Sequence, residues 1–152
     1  MLKIILPDII FDFWQNMQSR SFYVCQKQIC INKVFKKKTV YKYLDKSLNI
    51  SLLYDKLKIS IKNNAVYNVN ELFDKYGVND ANINTDKLVL CRYDALLSSS
   101  NSILLDKTVY NGSKKFCIIY DKYIADKLIK YKNLITNIDG LFYGELNGIK
   151  KS

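Results

Sequence analysis

Two adjacent residues, Asn111 and Gly112, separate two runs that favour β-strands. The run before them is 108–110 (Thr-Val-Tyr), and the run after them is 115–119 (Lys-Phe-Cys-Ile-Ile). Asn-Gly readily adopts the positive φ angles that a two-residue hairpin turn requires. The sequence therefore predicts an antiparallel β-hairpin here, and this is the strongest local indication of structure in the chain.

A helix is predicted directly after this hairpin. Asp121 can cap its first turn. Four apolar residues then recur on one face of the helix: Ile124, Leu128, Tyr131 and Ile135. The opposite face carries the charged residues Lys122, Asp126, Lys127 and Lys130 and is expected to face solvent. Gly140 is predicted to end the helix.

Four further strands are predicted, at residues 2–6, 22–31, 57–62 and 89–93. The first is a short apolar run suited to a buried strand. The second is rich in strand-forming residues, although its alternation is imperfect at 26–28. The third alternates apolar and polar residues, as a strand with one face in water requires.

Three further helices are predicted from apolar spacing and capping residues. Residues 8–17 follow a proline and carry apolar residues at four-residue intervals. Thr39 can cap a second helix, and Asn70 can cap a third. Gly77 is placed to end the third helix in a left-handed conformation.

Together these elements indicate a single α+β domain over residues 1–152. We expect a mainly antiparallel sheet of about five or six strands with about four helices packed on it. The length is typical of one domain, and a hydrophobic fraction of 49% is in the globular range. No convincing repeat or change of composition divides the chain. The tail at 147–152 is expected to fray.

The residue types exclude several classes of chemistry. The chain has no histidine, which removes the commonest general base and every Ser-His or Cys-His nucleophile pair. Its five glycines form neither a phosphate-binding loop nor a dinucleotide fingerprint. The cysteines lack the close pairs of a structural zinc site. We therefore predict a non-enzymatic protein that uses no cofactor and no metal.

Two catalytic hypotheses stay open beside this prediction. Asp8 and Asp12 are four residues apart, so a helix would place both carboxylates on one side, where they could bind Mg²⁺. The simpler interpretation is that Asp8 lies at a helix N-terminus and Asp12 faces water. Arg92 could lower the pKa of Cys91, but alternation within a strand would point the two side chains to opposite faces.

The sequence also bears on the compartment in which the chain works. The first ten residues lack the basic and apolar regions of a signal peptide. No stretch approaches the roughly 18 apolar residues that a transmembrane helix needs. We expect an intracellular protein with reduced thiols at its four cysteines, Cys25, Cys30, Cys91 and Cys117.

The formal net charge of +10 favours a polyanionic partner. The densest positive cluster comprises Lys33, Lys36, Lys37 and Lys38, and the exposed face of the C-terminal helix adds Lys122, Lys127 and Lys130. Only Arg20 and Arg92 are arginines. Since lysine is a mobile point charge, binding would consist mainly of attraction to a nucleic-acid backbone, without base reading.

Two weaker patterns also suggest nucleic acid. Residues 69–88 have the spacing of a helix-turn-helix, with Asn79, Asn82 and Asn84 as candidate base contacts. The tripeptide Tyr41-Lys42-Tyr43 could stack on unpaired bases, although Tyr43 falls on the apolar stripe of its predicted helix. In both cases a purely structural role is the simpler interpretation.

Two functional hypotheses follow from these observations. In the first, the chain is a non-catalytic protein that grips the backbone of RNA or DNA through its lysines. In the second, it is a protein-interaction or structural factor of a virus, plasmid or organelle with an AT-rich genome. Its basic charge would then be compositional, since the codons of Lys, Asn, Ile, Tyr and Phe are rich in A and T. The sequence does not specify an oligomeric state.

Overall fold

The computed structural model describes residues 2–6, 8–44, 49–79, 86–95, 97, 101–136 and 138. The chain divides into two compact units. Unit 1 comprises Met1–Asn64 and Gly140–Ser152, and unit 2 comprises Ala65–Asp139. The predicted α+β content is confirmed, but the described strands number seven and form two sheets, where one sheet was expected.

Unit 1 contains a three-stranded antiparallel sheet built from β1 (Leu2–Ile5), β2 (Ile10–Phe11) and β3 (Ser21–Val24). The strand order is β2-β1-β3, with Ile4 opposite both Phe11 and Phe22. The predicted strand at 2–6 is confirmed as β1, and all four of its residues are buried. A central strand with both faces covered is expected to be mostly apolar, and Lys3 is the one charged residue in β1.

The helix predicted at 8–17 is wrong. The chain turns at residues 8–9, forms β2 and then continues as a loop. Ile9 and Gln15 adopt positive φ angles of 55° and 58°, which a right-handed helix does not allow. Ile9 and Phe13 are buried, as the apolar spacing suggested, but Met17 is 43% exposed. The apolar residues at four-residue intervals therefore lie in a turn and a loop, and not in a helix.

The strand predicted at 22–31 is correct only in its first part. β3 ends at Val24, and α1 (Gln28–Phe35) begins where the alternation of the sequence fails. A short helix, α2 (Lys38–Tyr41), follows α1. Lys37 occupies its N-cap position without a side-chain hydrogen bond, so the prediction that Thr39 caps this helix is wrong.

A single long helix, α3 (Ile50–Tyr76), replaces two predicted elements. The predicted strand at 57–62 and the predicted cap at Asn70 both lie inside it, and the Asn70 side chain instead donates to the Val66 carbonyl at 2.7 Å. Buried residues recur every four positions along α3: Leu53, Leu57, Ile61, Ala65, Val69 and Phe73. Ile59, which the strand prediction places beside Leu57, is 59% exposed.

The end of α3 is where the sequence predicted it, but the geometry differs. Gly77 begins strand β4 (Gly77–Val78) and does not have a positive φ angle. A Cβ at this position would collide with the Phe73 carbonyl and with the Lys114 side chain. Gly77 is therefore needed for close approach and not for a left-handed turn.

Unit 2 contains a mixed sheet of β4, β5 (Leu88–Cys91), β6 (Ser102–Leu104) and β7 (Phe116–Ile119). The strand order is β4-β7-β5-β6, and only the β5–β6 pairing is parallel among these described strands. The strands predicted at 89–93 and 115–119 are confirmed as β5 and β7. Val89, Cys91 and Phe116 form part of the apolar core of this unit.

The predicted hairpin around Asn111-Gly112 is wrong. β7 pairs with β4 and β5, and residues 107–109 form a turn in which the Asp106 side chain accepts a hydrogen bond from the Thr108 backbone N–H. Tyr110 is buried, and its ring stacks on Phe73 at 3.7 Å. Burial of this aromatic pair against α3 outweighs a local turn preference.

The predicted C-terminal helix is present as α4 (Lys122–Lys130) and α5 (Lys132–Thr136), which are separated at Tyr131. The cap at Asp121 is confirmed, because its carboxylate accepts hydrogen bonds from the N–H groups of Tyr123 and Ile124 at 2.8 and 3.2 Å. Leu128, Tyr131 and Ile135 are buried. Gly140 and the predicted fraying tail at 147–152 lie outside the described residues.

Candidate nucleic-acid interface

The positive charge of the chain is concentrated in unit 1. The sequence of unit 1 contains fourteen basic and five acidic residues, a formal charge of +9. Unit 2 contains ten basic and nine acidic residues, a formal charge of +1. A surface that attracts a polyanion is therefore to be sought in unit 1.

Within unit 1, one segment accounts for most of this charge. Residues 13–44 contain seven basic residues and no aspartate or glutamate. In the structure this segment forms the loop before β3, then β3, α1 and α2. The absence of carboxylates matters as much as the lysines, because a carboxylate next to a cation would weaken the attraction of that cation for an external anion.

Six basic residues of this segment form what we call the basic corner: Arg20, Lys33, Lys36, Lys37, Lys38 and Lys42. All six are exposed. Lys33 lies in the last turn of α1, and Lys36 and Lys37 form the connection to α2. Lys38 begins α2, and Lys42 follows it one helical turn later. The four lysines predicted from the sequence thus lie together.

The backbone of the basic corner is held by hydrogen bonds and by apolar anchors. The Lys37 carbonyl accepts from the N–H groups of Val40 and Tyr41 at 3.1 and 2.8 Å. Phe35 is buried and meets Phe22 of β3 edge-to-face at 5.7 Å. Since apolar residues fill the inner side of the corner, its lysines point toward solvent.

Arg20 and Lys42 are joined to the corner by one aromatic ring. The Arg20 guanidinium lies 4.0 Å from the ring centre of Tyr43, and the Lys42 ammonium lies 4.9 Å from it. Both distances fall in the range of cation–π attraction. The ring therefore holds two positive charges close together at the protein surface.

Among the described residues, no carboxylate forms an ion pair with any member of the basic corner. The contrast with Arg92 in unit 2 is clear. Arg92 donates to both carboxylate oxygens of Asp94 at 2.6 and 2.8 Å, and these hydrogen bonds lower the pKa of Asp94. Of the two arginines, only Arg20 retains a charge that no described carboxylate neutralises.

Sequence reasoning missed Arg20 as a member of this surface, and it named Lys42 only within the Tyr41-Lys42-Tyr43 pattern. Arg20 precedes the lysine cluster by a strand and a helix, so no local pattern connects the two. The lack of acidic residues over 13–44 was the available indication. The contact of both cations with Tyr43 requires the fold.

The predicted lysines of α4 do not form a comparable surface. Lys122 and Lys130 are exposed, but Lys127 is buried, which corrects the prediction that it faces solvent. Its ammonium lies 5.7 Å from the ring centres of both Tyr123 and Tyr131. The long aliphatic stem of lysine allows such packing between rings. The helix also begins and continues with carboxylates, at Asp121 and Asp126, so its charge is nearly balanced.

The structure does not bring Asp8 and Asp12 together as a metal pair. Asp8 is exposed and lies in a turn, while Asp12 is buried and pairs with the Lys3 ammonium at 3.2 Å. Both parts of the simpler interpretation are also wrong, since Asp8 begins no helix and Asp12 does not face water. In the described part of the chain, no three acidic or cysteine side chains gather where a metal ion could bind.

Two further candidate sites receive no structural support. Cys91 is buried, and burial raises its pKa, which disfavours the reactive thiolate. The first helix of the predicted helix-turn-helix is only the end of the long helix α3, and strands β4 (77–78) and β5 (88–91) lie on either side of the place expected for the second helix. Asn79 accepts a hydrogen bond from the Lys115 backbone N–H at 3.1 Å, and Asn82 and Asn84 lie outside the described residues.

The chain matches no protein-family model, no curated protein and no solved structure. Over the ranges that the structure describes, no helix is both long enough and apolar enough to span a bilayer.

Proposed function

We propose that the chain is a non-catalytic protein that binds the phosphate backbone of nucleic acid through the basic corner. The observation that carries the proposal is the exposure of six cations in one segment without a described carboxylate partner. Neighbouring positive charges repel one another, and a phosphate between them lowers their electrostatic energy.

The composition of the corner supports backbone binding over base reading. Five of its six cations are lysines, which attract phosphate but lack the planar fork that recognises guanine edges. Binding would be driven by the release of condensed counterions, with a slope of about 0.9 in log affinity against log salt for each duplex phosphate contacted. Six contacts would give a slope of about 5.

The test compares two charge reversals of equal size. One variant carries Lys36→Glu, Lys37→Glu and Lys38→Glu in the basic corner. The other carries Lys122→Glu, Lys130→Glu and Lys132→Glu, at exposed positions of unit 2. Each variant lowers the formal charge of the chain from +10 to +4. Affinity for a labelled DNA duplex, to which these slopes apply, is measured by fluorescence anisotropy at several salt concentrations.

We expect the corner variant to lose binding and to reduce the salt slope by about 3, because three phosphate contacts are removed. The unit 2 variant should keep the slope and lose only the weaker, long-range attraction. Equal losses in both variants would show that net charge acts without a site. Failure of the wild-type chain to bind DNA and RNA at low salt would end the proposal.

The alternative is a protein-interaction or structural factor whose charge is compositional. One observation favours it: Tyr76 and Tyr120 are 41% and 59% exposed and meet edge-to-face at 5.9 Å on the nearly neutral unit 2. Exposed aromatic residues are enriched in protein interfaces. Recovery of one stoichiometric protein with the tagged chain, lost on Tyr120→Ala but unaffected by the corner variant, would support this function.

A further inference from the structure

Tyr41 presents an aromatic ring within the basic corner. It belongs to α2 and is 49% exposed. Lys38 lies three residues before it and Lys42 directly after it, and both are also exposed. Residues three and four apart share one side of a helix. Lys38 therefore lies on one side of the helix with both Tyr41 and Lys42, so this surface carries one exposed ring and two exposed lysines.

The core does not need this ring. Val40 and Leu44 are 6% exposed and supply the apolar face of the segment. In the described part of the chain, no hydrogen bond, ion pair or ring contact involves the Tyr41 side chain. An aromatic residue left at the surface without such contacts has its ring faces available to another molecule.

Tyr43 serves a different purpose from Tyr41, in line with its position on the apolar stripe of the predicted helix. Its ring is half-buried and lies against the Arg20 guanidinium. Stacking of a second group on that side would displace Arg20. Tyr43 therefore positions two cations, whereas the faces of the Tyr41 ring are available for stacking with a ligand.

We infer that the basic corner takes single-stranded nucleic acid in preference to duplex, with an unpaired base stacked on Tyr41 and phosphates held by Lys38 and Lys42. This inference rests on the proposed function. In a duplex the faces of the bases are covered by neighbouring bases, so the Tyr41 ring has no base face on which to stack. In a single strand every base has an open face, and aromatic stacking is tolerant of sequence.

The experiment measures dissociation constants for a single-stranded DNA, a single-stranded RNA and a DNA duplex of equal length at one salt concentration. Tyr41→Ala should weaken binding to the single strands by roughly 5- to 150-fold, the range of one base–aromatic stack. Its affinity for duplex should stay unchanged. Tyr41→Phe keeps the ring and should bind like wild type, while Tyr41→Leu keeps apolar volume without a ring and should behave like Tyr41→Ala.

Tyr67→Ala is the matched control, since Tyr67 is also helical and is 69% exposed, in unit 2. It should leave all three affinities unchanged. Circular dichroism confirms that each variant is folded, and Tyr41→Leu carries the test if Tyr41→Ala unfolds.

The outcomes separate this inference from the function on which it rests. If Tyr41→Ala and Tyr41→Leu bind single strands like wild type, or lose duplex affinity equally, the inference is overturned. The proposed function then still stands if the lysine reversals abolish binding. If the wild-type chain binds none of the three polymers, both fall.

Discussion

Removal of the Asp12 carboxylate should strongly destabilise the chain, because it leaves a buried ammonium without its counter-charge. The side chains of Lys3 and Asp12 are 9% and 3% exposed, and their charged atoms lie 3.2 Å apart. Lys3 Nζ also donates to the Met17 carbonyl at 2.7 Å, and Asp12 Oδ2 accepts from the Met17 N–H at 2.9 Å. The pair thus closes the loop between β2 and Met17.

The expected cost of Asp12→Ala is about 3–5 kcal/mol, the usual result of removing one partner of a buried ion pair. A typical domain has about 5–15 kcal/mol of stability in total, so this is a large fraction of it. With a urea m-value of about 2 kcal/mol/M, a loss of 4 kcal/mol would lower the unfolding midpoint by about 2 M.

The assay is urea unfolding followed by far-UV circular dichroism. Lys3→Met combined with Asp12→Ala should be more stable than Asp12→Ala alone, since no unpaired charge is then buried. Glu71→Ala is the control: its pair with Lys75 spans 3.6 Å with both side chains about half-exposed, so its removal should cost less than about 1 kcal/mol. A loss below 1 kcal/mol for Asp12→Ala, or a double variant no more stable than the single, would refute the reasoning.

Two other predictions test the fold. Leu57→Ala should lower the free energy of unfolding in urea by about 2–5 kcal/mol, because Leu57 is on the buried face of α3. Ile59 is on the exposed face, so Ile59→Ala should lower it by less than about 0.5 kcal/mol. Similar losses for the two variants would instead support a strand with both residues on one face. Burial raises the pKa of Cys117 to about 12, so almost none of it is thiolate at pH 8. At that pH it should be alkylated far more slowly than the half-buried Cys25 and Cys30. Rapid labelling of Cys117, located by mass spectrometry, would contradict its burial.

Elements with local determinants were predictable from the sequence. The apolar runs at 2–6 and 89–93 form β1 and β5, and Asp121 caps the helix that follows it. In each case the residues that fix the element are adjacent in the chain. The class α+β follows from such elements, whereas the division of the strands between two sheets depends on pairings between distant residues.

Elements that depend on distant partners were not predictable. Leu57, Ile59 and Ile61 fit a strand by alternation, but Leu57 and Ile61 also fit a helix, and burial of Leu53 and Ala65 in the same stripe decides for the helix. Asn111-Gly112 favours a hairpin locally, but stacking of Tyr110 on Phe73, across the unit, prevents one. Short apolar patterns are ambiguous for this physical reason.

The candidate site divides in the same way. The lysines at 33 and 36–38 are a local cluster and were predicted from the sequence. Arg20 joins them only because the fold lays its guanidinium on Tyr43. Lys127 fits the charged face of its helix by spacing, yet its stem is buried between two tyrosines, which spacing does not reveal.

The crowding of seven positive charges into residues 13–44 has a thermodynamic consequence for the free protein. Repulsion between these charges opposes the folding of unit 1. The same effect is small in unit 2, because its positive and negative charges nearly cancel. Dissolved salt shields the repulsion, and a polymer of phosphates would remove it more completely. We therefore expect the isolated chain to unfold at a lower temperature in dilute buffer than in added salt, and a bound polyanion would raise that temperature further.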